Sequence, residues 1–300
     1  MDLTTLTAQF LGYLKNERRF SSNTLVSYST DLSQFTEWLV KTYEINDATA
    51  IDHPLIRSWV VNLVDSGKDS ATVNRKISAV KSFFKYLCKI SLLATNPTDR
   101  INLLKKKERL PSFIDKNKLN GLLDESLKEV AEDSSFTKIR NHLIVELFFS
   151  TGMRLSELGN LKTSDINLEK QTFKVTGKRN KERIIPGNEA IFKMVKGYLG
   201  VRESGKMENE FLFVTIKDKK LNSKAIYRIV TRLLSGIPGI KKRNPHILRH
   251  SFATAMLNNG ADINAVKEFL GHSSLAATQV YTHNTIEKLL KSYKLAHPRA

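Results

Sequence analysis

Arg140-Asn-His-Leu-Ile-Val-Glu-Leu-Phe-Phe-Ser-Thr151-Gly152-Met-Arg154-Leu-Ser-Glu157-Leu158 decides how the second part of the chain is read. Its first twelve positions are dominated by Leu143, Ile144, Val145, Leu147, Phe148 and Phe149. Such a run predicts a buried helix, and Gly152 predicts its end. Arg154 then stands at a junction between helices, with Glu157 available to orient or cap it. Taken alone, Arg154 suits a purely structural pair with Glu157 as well as an anion site.

Downstream the texture changes to short strands. Asp165–Leu168, Thr172–Thr176 (Phe173 and Val175 alternating) and Glu182–Ile185 before Pro186 fit the period of a sheet. Gly177-Lys178-Arg179-Asn180-Lys181 is a polar turn that would protrude from a hairpin. After Gly187 helices return, the last around Ile286, Leu289, Leu290 and Tyr293, whose spacing gives a narrow apolar face.

Upstream, the first hundred residues carry helical spacing and almost no strand signal. The stripes are Leu3, Leu6, Phe10, Leu14; Leu25, Tyr28, Leu32, Phe35, Leu39; Ile56, Trp59, Val60, Leu63; and Val73, Ile77, Val80, Phe84, Leu87. Ser21-Ser22-Asn23 supplies cap chemistry before the second stripe, Pro54 opens the third, Ser66-Gly67 closes it, and the fourth follows Asp69-Ser70. Four short amphipathic helices make a small bundle. Arg75, Lys76, Lys81 and Lys85 line the fourth helix opposite its apolar stripe. They read either as a solvated face or as phosphate contacts. Asn96-Pro97 ends the bundle, and Lys105-Lys-Lys-Glu-Arg-Leu-Pro111 has the polarity of an interdomain linker. The expected domains are 1–104, a basic linker 105–111, and 112–300.

Three hundred residues with 41% hydrophobic content suffice for two packed cores. A net charge of +18 favours a polyanionic partner, the alternative being a merely soluble basic protein. Cys88 is the single cysteine, which removes disulfide frameworks and cysteine-based metal sites; it reads as a small core residue. The apolar runs are too short to span a bilayer and Met1-Asp-Leu-Thr-Thr does not resemble a leader, so a cytoplasmic protein with no membrane partner is expected.

The chemistry gathers near the end, in His246-Ile-Leu-Arg249-His250, Leu270-Gly271-His272 and Thr278-Gln-Val-Tyr281-Thr-His283. His246 and Arg249 are one turn apart at the start of a helix expected to run through Asn258, a favourable place for a phosphate oxygen. Gly271 should end a short helix ahead of His272. Each of these residues has a bland structural alternative, and the argument rests on their occurring together. Two guanidinium forks suit a phosphate, and a phenol beside them suits a nucleophile that attacks phosphorus.

In this order, Arg154, Lys178, His246-x-x-Arg249, His272 and Tyr281 resemble the tyrosine site-specific recombinases of phage-integrase type. The surrounding text agrees: Thr-Gly-Met-Arg-Leu-Ser-Glu-Leu, His-Ile-Leu-Arg-His-Ser-Phe-Ala-Thr, Leu-Gly-His-Ser-Ser and Tyr-Thr-His. Leu14 to Tyr28 resembles the Xer subgroup, which resolves chromosome dimers. The resemblance implies a mainly α protein with a small β hairpin or sheet. An N-terminal helical core-binding bundle would precede a C-terminal mixed α/β catalytic domain. It implies that Tyr281 attacks a DNA phosphodiester to form a 3′-phosphotyrosyl link, with His246 as base and Lys178 as donor to the leaving 5′ oxygen. Arg154, Arg249 and His272 would hold the phosphate, with no metal, ATP or other cofactor. DNA contacts from Arg75, Lys76, Lys81, Arg179 and Lys181 are expected. So are a homotetramer or a heterotetramer with a paralogous recombinase, a protomer-docking terminal helix, a dif-like duplex site, and activation by a DNA translocase. The weighed alternatives are a binding protein without catalysis, a type IB topoisomerase, and a metalloenzyme using His246, His250, His272 and His283. The last fits poorly, since Arg249 would repel a cation between two ligands.

Overall fold

Cap chemistry starts every helix of the first hundred residues. Asp2, Ser21, Asp52 and Asp69 each accept a backbone N–H three residues on, which satisfies a donor that the first turn leaves without a partner. The helices they open are α1 (Leu3–Asn16), α2 (Ser22–Tyr43), α3 (His53–Asp65) and α4 (Ser70–Lys89). A 3₁₀ turn, Ala48–Ala50, joins α2 to α3. In this computed structural model the described residues are 2–105, 113–177, 181–240, 243–271, 293, 295 and 296.

The chain divides into two compact units, Met1–Arg109 and Leu110–Ala300. The four stripes form the core of the first. Leu3, Leu6, Phe10 and Leu14 meet Leu32, Phe35, Leu39, Trp59 and the inward face of α4. Phe35 and Trp59 pack edge to face with centroids 4.8 Å apart. Each fully buried side chain of this kind contributes about 1.5–3 kcal/mol over leaving it in water. Cys88, expected in the core, is only half-buried.

In the second unit α6 (Phe136–Thr151) is the central element, buried from His142 to Thr151 and packed by α5 (Lys116–Glu132), α8 (Glu189–Ser204), α9 (Ser223–Leu233) and α10 (Pro245–Asn258). It begins four residues earlier than its apolar run suggests, and α5 has no counterpart in the sequence expectation. α7 (Leu155–Asn160) and α11 (Ile263–Leu270) flank the sites described below. Gly152 ends α6 and Gly271 ends α11, each in the left-handed conformation, at φ 59° and 61°.

The sheet is antiparallel, in the order β1 (Ile166–Asn167), β2 (Thr172–Thr176), β3 (Glu182–Pro186). β1 is shorter than the expected Asp165–Leu168, and β3 extends to Pro186. Phe173 faces Ile185 and Val175 faces Arg183, and all four side chains are buried. Tyr293 is fully buried too. Its hydroxyl donates to the Ser150 carbonyl at 3.0 Å, and its ring lies 5.8 Å from that of Phe269. This residue of the expected docking helix therefore packs on its own domain; Ile286, Leu289 and Leu290 lie outside the described residues. No helix among the described residues is long and apolar enough to cross a membrane.

Candidate active site

Three arginines converge on the end of α11. Arg154, the N-cap of α7, donates from Nη2 to the Gly271 carbonyl at 2.8 Å. Arg249, four residues after Pro245 in α10, donates to the carbonyls of Leu270 and Gly152. Arg183, on β3, donates from Nε to the Phe269 carbonyl at 2.9 Å. Three consecutive carbonyls that the helix leaves open thus each receive a guanidinium. The negative end of a helix favours such cations.

One carboxylate anchors this group. Glu157 is completely buried and is the third residue of a capping box: its Oε2 accepts the Arg154 backbone N–H at 2.7 Å. Its Oε1 accepts Arg154 Nη1 at 2.7 Å and Arg183 Nη1 at 2.6 Å, and Oε2 also takes Arg183 Nη2 at 2.9 Å. Burial alone would push this carboxyl up. The hydrogen bonds and charge of Arg183, with the Arg154 backbone and side chain, outweigh that and hold it at about 2. Burial, then the charges of Arg154 and Arg183, bring Arg249 down to about 10, so it remains a cation at neutral pH.

His246 is exposed in the first turn of α10, which Asn244 caps. Its pKa lies below the ordinary 6.5, first through partial desolvation and then through the charges of Arg249, His250 and Arg154. The imidazole is therefore mainly neutral, and able to accept a proton, near pH 7. The hairpin also reaches this cluster. Gly177 N–H donates to the Lys181 carbonyl at 2.7 Å, closing the turn. A Cβ at Gly177 would sit 3.3 Å from Glu157 Oε1 and 3.7 Å from Arg154 Nη1, so the mouth of the hairpin lies against the arginine site.

Of the residues singled out by sequence, Arg154, His246 and Arg249 thus share one region. Lys178, Arg179, His272 and Tyr281 lie outside the described residues. Lys181 is exposed. On α4, Arg75 is about half exposed and pairs with Asp31, while Lys81 is partly buried. Lys76 departs from the expected solvent-facing role: it is buried, and its ammonium donates to Asp31 at 2.9 Å and to Gln34. An ammonium so engaged is not presented to a phosphate. Sequence reasoning missed Arg183. Its signal was available, because in an alternating strand it shares a face with buried Ile185.

Residues 112–288 match the model of the phage integrase family, and residues 7–89 match the phage integrase N-terminal SAM-like domain. The chain is 35% identical to the tyrosine recombinase XerC of Pediococcus pentosaceus over 100% of this chain and 99% of the relative. It is 34% identical to the tyrosine recombinase XerD of Halalkalibacterium halodurans over 97% of each. Among solved structures, XerH site-specific recombinase bound to palindromic difH substrate in a post-cleavage complex superposes with a TM-score of 0.71. The identity there is 26%, over 96% of this chain and 84% of that one. The chain belongs to the phage integrase family. Within it, the full-length likeness to XerC and XerD makes it a Xer-type tyrosine recombinase, an enzyme that transfers DNA strands.

Proposed function

We propose that the protein recombines duplex DNA at a specific dif-like site through a 3′-phosphotyrosyl intermediate and so resolves chromosome dimers. The observation that carries this reading is the convergence of Arg154 and Arg249 on the chain that enters His272, with His246 in the same region. Tyr281 Oη would bond to phosphorus while the bond from phosphorus to the 5′ oxygen breaks. His246 takes the phenol proton, and Lys178 gives one to the leaving oxygen, so charge does not build up on either atom. Negative charge grows on the non-bridging oxygens as the phosphorus becomes five-coordinate. Rigid guanidinium forks at Arg154 and Arg249, with a hydrogen bond from His272, stabilise that state above the ground state. Because the phosphotyrosyl link keeps the energy of the phosphodiester, rejoining requires no ATP.

Support for a duplex partner comes from the +18 charge and from the similar XerH recombinase, whose structure is a complex with difH substrate. Arg75, Lys81, Arg179 and Lys181 are proposed contacts with the DNA backbone. Exchange requires four strand cuts, hence four protomers on DNA, either identical or shared with a paralogous recombinase and activated by a DNA translocase. Ile286, Leu289 and Leu290 would dock the terminal helix on a neighbour, in the cytoplasm where the chromosome lies.

The decisive test is a suicide duplex carrying a nicked dif-like site. The intact enzyme should give a covalent protein–DNA adduct with a free 5′-hydroxyl, and Tyr281→Phe none while still shifting the DNA in a gel. Binding without an adduct from the intact enzyme would instead favour a fold retained only for DNA binding.

A further inference from the structure

Arg183 is not one of the six residues of the proposed catalytic set. All three of its guanidinium nitrogens are engaged, Nε by the Phe269 carbonyl and Nη1 and Nη2 by Glu157, so it does not itself meet a DNA phosphate. Yet it touches both supports of Arg154. The first is Glu157, whose two oxygens bind Arg183 Nη1 and Nη2 at 2.6 and 2.9 Å while also binding the Arg154 side chain and backbone N–H. The second is the end of α11. There Arg183 holds the Phe269 carbonyl and Arg154 holds the Gly271 carbonyl two residues on. A Cβ at Gly271 would stand 3.3 Å from Arg183 Cδ and Nη1, so the helix end and this guanidinium fit closely.

We infer that Arg183 is a positioning residue for strand transfer, bracing Glu157 and the α11 terminus so that the Arg154 guanidinium and the chain entering His272 stand in fixed relation. The brace rests on the recombinase mechanism proposed above. A planar fork with a third donor at Nε can grip a carboxylate in two places and a carbonyl in a third at the same time. An ammonium cannot, although it carries the same charge. Arg183→Lys therefore separates the two possible roles: a residue that only neutralised Glu157 would be replaced by lysine without loss, whereas a brace would not.

The test uses the full-length enzyme on the suicide duplex, once with an ordinary scissile phosphate and once with a neutral methylphosphonate in its place. Arg183→Lys should bind DNA as tightly as the intact enzyme and form adduct about 100-fold more slowly on the ordinary phosphate, the order expected when a reacting group is misplaced by about 1 Å. On the methylphosphonate the deficit should shrink to a few-fold, because a neutral centre no longer depends on where the Arg154 cation stands. Should the lysine variant fold poorly by thermal melting, Arg183→Met combined with Glu157→Gln removes both buried charges together and should show the same substrate-dependent recovery. An intact enzyme that forms no adduct overturns the recombinase reading and the brace with it. An intact enzyme that forms adduct, beside a variant that cleaves equally fast or is slowed equally on both substrates, overturns the brace alone.

Discussion

Each half of this molecule buries a carboxylate between two cations, and the two arrangements serve different ends. In the bundle, Asp31 of α2 is fully buried and holds Lys76, itself buried, and the half-exposed Arg75. In the second unit, Glu157 is fully buried and holds Arg183, itself buried, and the partly exposed Arg154. The difference lies in where the cations come from. Arg75 and Lys76 are neighbours on one helix, so the bundle network pins α4 to α2 and nothing more. Arg183 and Arg154 come from a strand and a helix cap, and with Arg249 from α10 they meet a third element at the end of α11. Three guanidiniums then face one carboxylate. That leaves a positive surplus, met among the described residues by the backbone carbonyls of Gly152, Phe269, Leu270 and Gly271. On the proposed mechanism, the five-coordinate phosphorus with its two negative charges is what matches that surplus.

If both carboxylates are truly desolvated, removing either should be severe. Glu157→Ala leaves Arg183 buried without its partner, and Asp31→Ala does the same to Lys76. Each is expected to lower stability by about 3–5 kcal/mol in urea denaturation. A smaller loss from Glu157→Ala than from Asp31→Ala would mean that water enters the arginine cluster, and would break the parallel.

Two glycines extend the comparison at a lower cost. Gly152 and Gly67 both have positive φ, 59° and 74°. A Cβ at Gly67 meets nothing within 4 Å, so Gly67→Ala should lose only the left-handed backbone preference, about 1–2 kcal/mol. A Cβ at Gly152 would lie 2.7 Å from Phe252 Cδ1 and 2.9 Å from Leu270 Cδ2. Gly152→Ala adds overpacking to the backbone term and should cost about 2–4 kcal/mol. Because Arg249 donates to the Gly152 carbonyl, that variant should also slow adduct formation, which Gly67→Ala should not.

These contrasts follow what could and could not be read from the sequence. The four stripes of the bundle, the cap at Ser21, Gly152 and Gly271 as helix ends, and the hairpin were legible because each depends on near neighbours in the chain. α5 was not, since only Leu119 and Leu123 of its residues are fully buried and the rest is polar enough to pass for a connection. Lys76 was misread as solvent-facing. It stands three residues after Val73 and four before Val80, within the apolar stripe, and Asp31 lies three after Tyr28 and four before Phe35. An acid and a base each inside an apolar stripe are the sign of a buried pair, but their partnership spans two helices. Arg183 was hidden for the same reason: its meaning depends on Glu157 and Phe269, which are remote in sequence.

At neutral pH the Glu157 charge is invisible to titration, and acid reveals it. The folded carboxyl titrates at about 2, below its ordinary 4.5, so on acidification the unfolded chain takes up the proton first. Its contribution is complete above pH 4.5 and is lost as the pH falls from there toward 2. The loss should be roughly 1 kcal/mol by pH 4. Melting curves between pH 6 and 3 should fall more steeply for the intact chain than for Glu157→Gln. Parallel slopes would show that the carboxyl is not held down by its arginines.

The smallest expected effect is also the sharpest test of the opening contrast. Replacing a buried ion pair by apolar side chains is often neutral or stabilising by about 1–4 kcal/mol, since the desolvation cost disappears along with the attraction. Asp31→Leu with Lys76→Met places two apolar side chains where Tyr28, Phe35, Val73 and Val80 already supply an apolar stripe on either side. Arg75 loses its partner but is about half exposed, so water can take over its hydrogen bonds. The double variant should therefore melt at or slightly above the intact protein and form adduct at an unchanged rate once bound to DNA. The matching change in the second unit, Glu157→Leu with Arg183→Met, can be equally harmless to folding, yet it strips Arg154 of its anchor and should abolish most cleavage. If both double variants keep full cleavage, the two networks are equivalent and the surplus of guanidiniums at α11 has no chemical purpose.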